Sequence, residues 1–171
     1  RGSKFYFALT TKVEEKSDSQ SKVTNQITIN QNINNENAID SKTKSGKRIK
    51  ILVGDDDETN LWLAKSILKQ IVGNAIILEA GNGIQAINIF KKLKPDIIFM
   101  DVQMSKMNGY EATIEIRKLN YGKKVPIIAL TAETVKEEID LCFQAGMNDY
   151  ASKPIIKDRF EKILKKWLSA I

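Results

Sequence analysis

The sequence predicts an α/β fold over residues 48–171, a doubly wound parallel sheet of five strands with helices on both faces. Three observations predict it. Short apolar runs alternate five times with segments of helical spacing. The runs are continuously apolar rather than alternating, as strands are when both faces are covered. No glycine fingerprint of a dinucleotide-binding unit follows the first run, which favours an open sheet built of simple βα units.

The first run is Ile49–Val53, and a stripe of Leu61, Ala64, Leu68 and Ile71 follows it. Ala75–Leu78 is the second run, followed by Ile84, Ile87, Phe90 and Leu93. The third, Ile97–Met100, leads to a helical composition between Gly109 and Leu119 whose stripe is less clean. Ile127–Leu130 is the fourth, with Val135, Ile139, Cys142 and Ala145 after it. The fifth, Tyr150–Ala151, is weak, and Phe160, Ile163, Trp167 and Leu168 close the pattern. Cys142 on its apolar stripe reads as core, and Trp62 and Trp167 read as packing residues rather than a binding platform.

Before residue 48 the composition changes. Thr10 to Lys47 holds no aromatic residue, no proline and one glycine, with an Asn-rich patch from Asn25 to Asn37. Such a stretch buries too little apolar surface to offset its ordering entropy and reads as a linker, residues 10–47. Ile27-Thr28-Ile29 alternates like a short strand able to dock on an edge.

Composition excludes several functions. The 171 residues are 42% hydrophobic and 28% charged, so a core is available. There is no histidine and one cysteine, which removes Ser-His-Asp and Cys-His catalysis, His/Cys zinc sites and any intrachain disulfide. The net charge of +6 divides into +4 for residues 1–48 and +2 for residues 49–171, with the lysines scattered rather than striped. Nucleic-acid binding needs a clustered basic face, so none is expected. The longest apolar stretch, Val125–Leu130, falls far short of the roughly 20 residues that span a bilayer. Polar residues follow Phe5–Leu9 at once, unlike a secretory signal. A cytoplasmic location without membrane contact is the expectation.

Ligands of open α/β sheets collect beyond the carboxyl ends of the strands. Asp55, Asp56, Asp57 and Glu58 leave the first strand, Asp101 the third, Thr131 the fourth and Lys153 the fifth. In a parallel sheet these converge on one rim. Two carboxylates ~4 Å apart repel by about 4 kcal/mol at an effective dielectric near 20, and Lys153 supplies a single counter-charge. A small hard divalent cation with oxygen ligands meets the remaining demand, and magnesium is the expected ion. An aspartate at the floor of such a site can attack phosphorus while metal and lysine stabilise charge on the equatorial oxygens. The bland readings are a helix start at Asp57 and Glu58, which we favour for those two, a cap for Thr131, a surface lysine for Lys153 and a half-buried strand aromatic for Tyr150.

Residues 49–171 resemble the receiver domain of two-component response regulators, in particular receivers joined to hybrid histidine kinases. The resemblance lies in Ile51-Leu52-Val53-Gly54-Asp55-Asp56, Met100-Asp101-Val102-Gln103-Met104, Met107-Asn108-Gly109-Tyr110-Glu111-Ala112, Ile127-Ile128-Ala129-Leu130-Thr131-Ala132 and Tyr150-Ala151-Ser152-Lys153-Pro154. It implies a flavodoxin-like sheet of order 2-1-3-4-5 with five helices. It further implies that Asp101 is the phosphoacceptor and that Asp55, Asp56, Asp101 and the backbone carbonyl of Gln103 hold magnesium, for which manganese can substitute. Thr131 matches the hydroxyl that moves toward the phosphoryl group. Lys153 matches the lysine that pairs with a phosphoryl oxygen, with a cis bond to Pro154. Tyr150 matches the aromatic that swings inward. Ser105 stands where the family commonly has proline and is expected to loosen the loop after Asp101. Asn108 replaces a common aspartate in a tight turn, and Gly54 replaces a bulky residue, leaving the backbone there freer.

Residues 1–9 resemble the last strand of a histidine-kinase ATP-binding domain, so the expected order is kinase strand, linker, then receiver over 48–171. The expected function is phosphorelay signalling: acceptance of a phosphoryl group from a phosphohistidine onto Asp101. The fragment then assists its own phosphotransfer, with a histidine kinase domain and a histidine phosphotransfer protein as partners. The alternative is a receiver-like docking module independent of phosphorylation. A haloacid-dehalogenase-type phosphatase needs an aspartate where Gln103 stands. A flavodoxin needs a phosphate cradle, where Asp55–Glu58 present carboxylates.

Overall fold

The computed structural model describes residues 48–132 and 135–168; the expected kinase strand and linker lie outside the described residues. In chain order the elements are β1 (Lys50–Gly54), α1 (Glu58–Ile71), β2 (Ile76–Ala80), α2 (Gly83–Leu93), β3 (Ile97–Asp101) and α3 (Gly109–Lys118). A short 3-10 turn (Tyr121–Lys123), β4 (Ile127–Thr131), α4 (Lys136–Gln144), β5 (Asp149–Ser152) and α5 (Lys157–Leu168) follow. The strands form one parallel sheet in the order β2-β1-β3-β4-β5. This is the flavodoxin-like arrangement that the resemblance implies.

Continuity of the apolar runs has the expected cause. Along β3, Ile97 and Phe99 enter one core with Ile51, Val53, Ile128, Leu130 and residues of α1 and α5. Ile98 and Met100 point to the opposite core, with Leu52, Ile127, Ala129 and residues of α2 and α3. Phe99 stacks on Phe160 of α5 with centroids 4.4 Å apart. β5 is an edge strand and only Ala151 in it is buried, which explains its weak apolar signal.

Some expectations change at the helices. Ile84 and Leu93 face solvent, and α2 instead buries Gly83, Ala86, Ile87 and Phe90. Trp62 is 66% exposed on α1, so it is not a packing residue, whereas Trp167 packs partly against the core. Cys142 is fully buried. Every strand ends at or beyond the residue its apolar run ends on, because backbone pairing continues where the side chains turn polar. No helix among the described residues is long and apolar enough to cross a membrane.

Candidate functional site

Sheet register builds the site. Gly54 lies opposite Met100, so the next residues, Asp55 and Asp101, leave adjacent strands side by side. Thr131 lies opposite Ser152, which puts Lys153 one step beyond the same rim. The ladder runs one residue past the strands: Asp55 N–H donates to Ala80 C=O (3.0 Å), Val102 N–H to Leu130 C=O (3.1 Å) and Lys153 N–H to Thr131 C=O (2.7 Å). Asp55, Asp101, Thr131 and Lys153 therefore start from backbone that is still held by the sheet, and Asp56 lies one residue beyond it.

One carboxylate oxygen from each of Asp55, Asp56 and Asp101 lies within 4.8 Å of the others. Asp55 and Asp101 are buried, and Asp56 is exposed. Asp55 Oδ1 accepts from Asp57 N–H (3.0 Å) and from the Asn60 side-chain amide (3.1 Å). Asp101 Oδ1 accepts from Gln103 N–H at 3.2 Å. Lys153 Nζ sits between the two buried groups, 2.7 Å from Asp101 Oδ2 and 2.8 Å from Asp55 Oδ2. The first contact is an aligned hydrogen bond. The second is a charge contact only, because the buried Asp55 Oδ2 has no aligned donor.

Two carboxylates thus share one ammonium. Burial pushes the Asp101 carboxyl above its ordinary value, and its hydrogen bond from Lys153 offsets this only in part. Burial disfavours the Lys153 charge as well, but its contacts with Asp101 and Asp55 outweigh that and raise its pKa. An ion pair normally lowers the acid; here desolvation wins. The donor set is all oxygen, and its three carboxylates outnumber the one ammonium that faces them. Both fit a hard divalent cation.

The remaining predicted residues have different surroundings. Thr131 is fully buried at the end of β4, and Val135 occupies the N-cap position of α4 without a side-chain capping bond, so Thr131 is not that helix's cap. Tyr150 is half-buried on β5, with the Arg159 guanidinium 5.8 Å from its ring centroid. The Lys153–Pro154 peptide bond is cis. Asp57 is the α1 N-cap, accepting from Thr59 N–H (2.7 Å) and Asn60 N–H (3.3 Å), as the helix-start reading expects.

In the loop after Asp101, Ser105 N–H donates to Asp56 Oδ2 at 2.8 Å, a bond that proline could not make. A Cβ on Gly54 would lie 2.9 Å from Met100 Sδ, the end of a flexible side chain that can move aside. Gly109 serves the site more directly. A Cβ on it would lie 2.1 Å from Asp101 C=O, so only glycine lets α3 start against the end of β3. Residue-by-residue reading missed Asn60 and the backbone contact of Ser105 with Asp56. A polar residue three past the Asp57 cap was the available signal for Asn60, and none existed for a backbone donor.

Shape alone points elsewhere. A cavity of about 690 Å³ bordered by Asp96, Tyr121, Val125, Pro126 and Trp167 opens at the amino-terminal ends of β3 and β4, away from the acidic rim.

Fold and rim define a doubly wound module with an acidic, lysine-countered cleft at the carboxyl ends of its strands. Residues 51–165 match the response regulator receiver domain, and the chain belongs to that family, the receivers of two-component phosphorelay signalling. The sensor histidine kinase GacS of Pseudomonas protegens is 34% identical over 129 residues, which are 74% of this chain and 14% of that protein. The hybrid signal transduction protein dokA of Dictyostelium discoideum is 35% identical, covering 69% of this chain and 7% of its own length. The two-component response regulator ORR41 of Oryza sativa is 34% identical, over 71% of this chain and 95% of the regulator. The receiver domain of sensor histidine kinase PA1611 from Pseudomonas aeruginosa superposes with a TM-score of 0.66 at 35% identity, over 71% of this chain and 98% of that one. That crystal structure has a magnesium ion coordinated in its active-site cleft. The chain spans a small fraction of the histidine kinases it matches.

Proposed function

We propose that this chain accepts a phosphoryl group from a phosphohistidine onto Asp101 in a magnesium-dependent step, as the receiver of a hybrid sensor histidine kinase. The observation that carries the reading is the convergence of Asp55, Asp56 and Asp101 within 4.8 Å, with Lys153 bridging the two buried members. Kinase relatives that extend far beyond the matched region support the hybrid architecture, with residues 1–9 as kinase strand, 10–47 as linker and 48–171 as receiver.

Asp55, Asp56, Asp101 and the Gln103 backbone carbonyl would hold the ion. When bound, magnesium supplies positive charge beside the phosphoryl oxygens and offsets the crowded carboxylates. An Asp101 oxygen forms the new bond to phosphorus as the P–N bond breaks. The electron pair of that bond returns to the imidazole nitrogen, so a donor protonated on its other ring nitrogen leaves as neutral imidazole. Lys153 stabilises charge on a phosphoryl oxygen, and the Thr131 hydroxyl donates to another. Movement of Thr131 and of Tyr150 then biases which surface meets a partner. A histidine kinase domain, in cis or in trans, is the donor class, and a histidine phosphotransfer protein is a further partner.

Intact-mass analysis after incubation with a small phosphodonor and magnesium tests this reading. One added phosphoryl group in the wild type and none in Asp101→Asn is expected. Equal labelling of both overturns the role of Asp101, and no labelling of either supports a docking module instead.

A further inference from the structure

Ser105, in the loop after β3, touches the acidic rim through its backbone. Asp55 is buried and held by two donors, and Asp101 is buried and held by Gln103 and Lys153. Asp56 is the exposed member, and an exposed carboxylate left to itself samples several rotamers. Its Oδ2 instead accepts from the backbone N–H of Ser105, 49 residues away, at 2.8 Å.

That donor is itself anchored. Ser105 C=O accepts from Met107 N–H at 2.7 Å, and Met107 C=O accepts from Gly83 N–H at 3.0 Å, at the start of α2. Lys106 between them takes a left-handed turn at φ 64°. Met104 on the other side is buried. An ionised carboxylate has about four acceptor sites, so one bond to Oδ2 leaves the rest of Asp56 available.

We infer that Ser105 is a positioning residue of the metal site: its backbone N–H orients Asp56 toward the shared ion and joins the loop between β3 and α3 to metal occupancy. The inference rests on reading the acidic rim as a magnesium site. Proline, which the family commonly carries at this position, has no N–H and cannot make this bond. The side-chain hydroxyl takes no part, so alanine keeps the device and proline removes it. Donors that orient metal ligands contribute affinity without touching the ion.

The test is calorimetric titration of the full chain with magnesium, in the wild type, Ser105→Ala and Ser105→Pro, with amide exchange at Ser105 followed by NMR. Ser105→Ala is expected to bind as the wild type does, and Ser105→Pro about tenfold more weakly. The Ser105 amide is expected to remain protected when magnesium binds. Wild-type affinity in a cooperatively folded Ser105→Pro overturns the inference. So does loss of amide protection on magnesium addition, which would make the amide a competitor of the ion; that measurement decides alone if the proline variant does not fold. Failure of the wild type to bind magnesium overturns the metal reading itself, and this inference with it.

Discussion

Asp101 is placed where burial and an ion pair oppose each other. Because burial raises its pKa in the folded protein, the carboxyl favours folding when protonated. That contribution is complete below the unfolded value of about 4 and is lost as pH rises through the folded value. Asp101→Asn removes the titration. Without magnesium, the variant is expected to be more stable than the wild type at pH 7, and the difference is expected to shrink as pH falls toward about 4. Urea unfolding midpoints across that range check it, and a constant difference would contradict it. At this scale the sequence was legible wherever chemistry sits at a strand end: Asp55, Asp56, Asp101 and Lys153 all meet. It was not legible for Ser105, whose contribution is a backbone N–H, a group every residue except proline carries.

Helix α3 shows how one element serves the site through its first turn. Asn108 caps it: the side chain accepts from Glu111 N–H at 2.8 Å, while the Glu111 carboxylate accepts from Asn108 N–H at 3.1 Å. This capping box fixes where the helix begins, and Gly109 lets that beginning touch the end of β3. Asn108→Ala is expected to cost about 1 kcal/mol in urea unfolding, and Asn108→Asp much less, because aspartate accepts the same bond. The cap was readable as a turn residue but not as half of a box until the helix start was placed. Helix α2 shows the reverse case. Ile84 and Leu93 fit a helical stripe, yet α2 turns Ala86, Ile87 and Phe90 inward and leaves both exposed. Periodicity allowed several neighbouring faces, and packing against the sheet selected one.

Across the whole domain, the rim opposite the acidic cleft is tied by Arg117. Its guanidinium donates to Gly146 C=O (2.8 Å), Val125 C=O (2.9 Å), the Asn148 side-chain oxygen (2.7 Å) and Gly122 C=O. Burial lowers its pKa. These bonds join the end of α3 to the entries of β4 and β5, so the two strands that deliver Thr131 and Lys153 start from one clamp. Arg117→Met leaves several acceptors unpaired and is expected to cost about 3 kcal/mol in urea unfolding. Arg117→Lys is expected to recover only part of this, because an ammonium lacks the planar fork. Alternation of apolar runs with helical stripes, and the residue types leaving each strand, followed from the sequence alone, because burial on both faces and charge at strand ends are local patterns. Which neighbours those ends acquire did not. Register set Asp55 beside Asp101, the missing Cβ of Gly109 admitted α3, and a loop amide reached Asp56 across 49 residues; each depends on distances between segments that only the packed molecule defines.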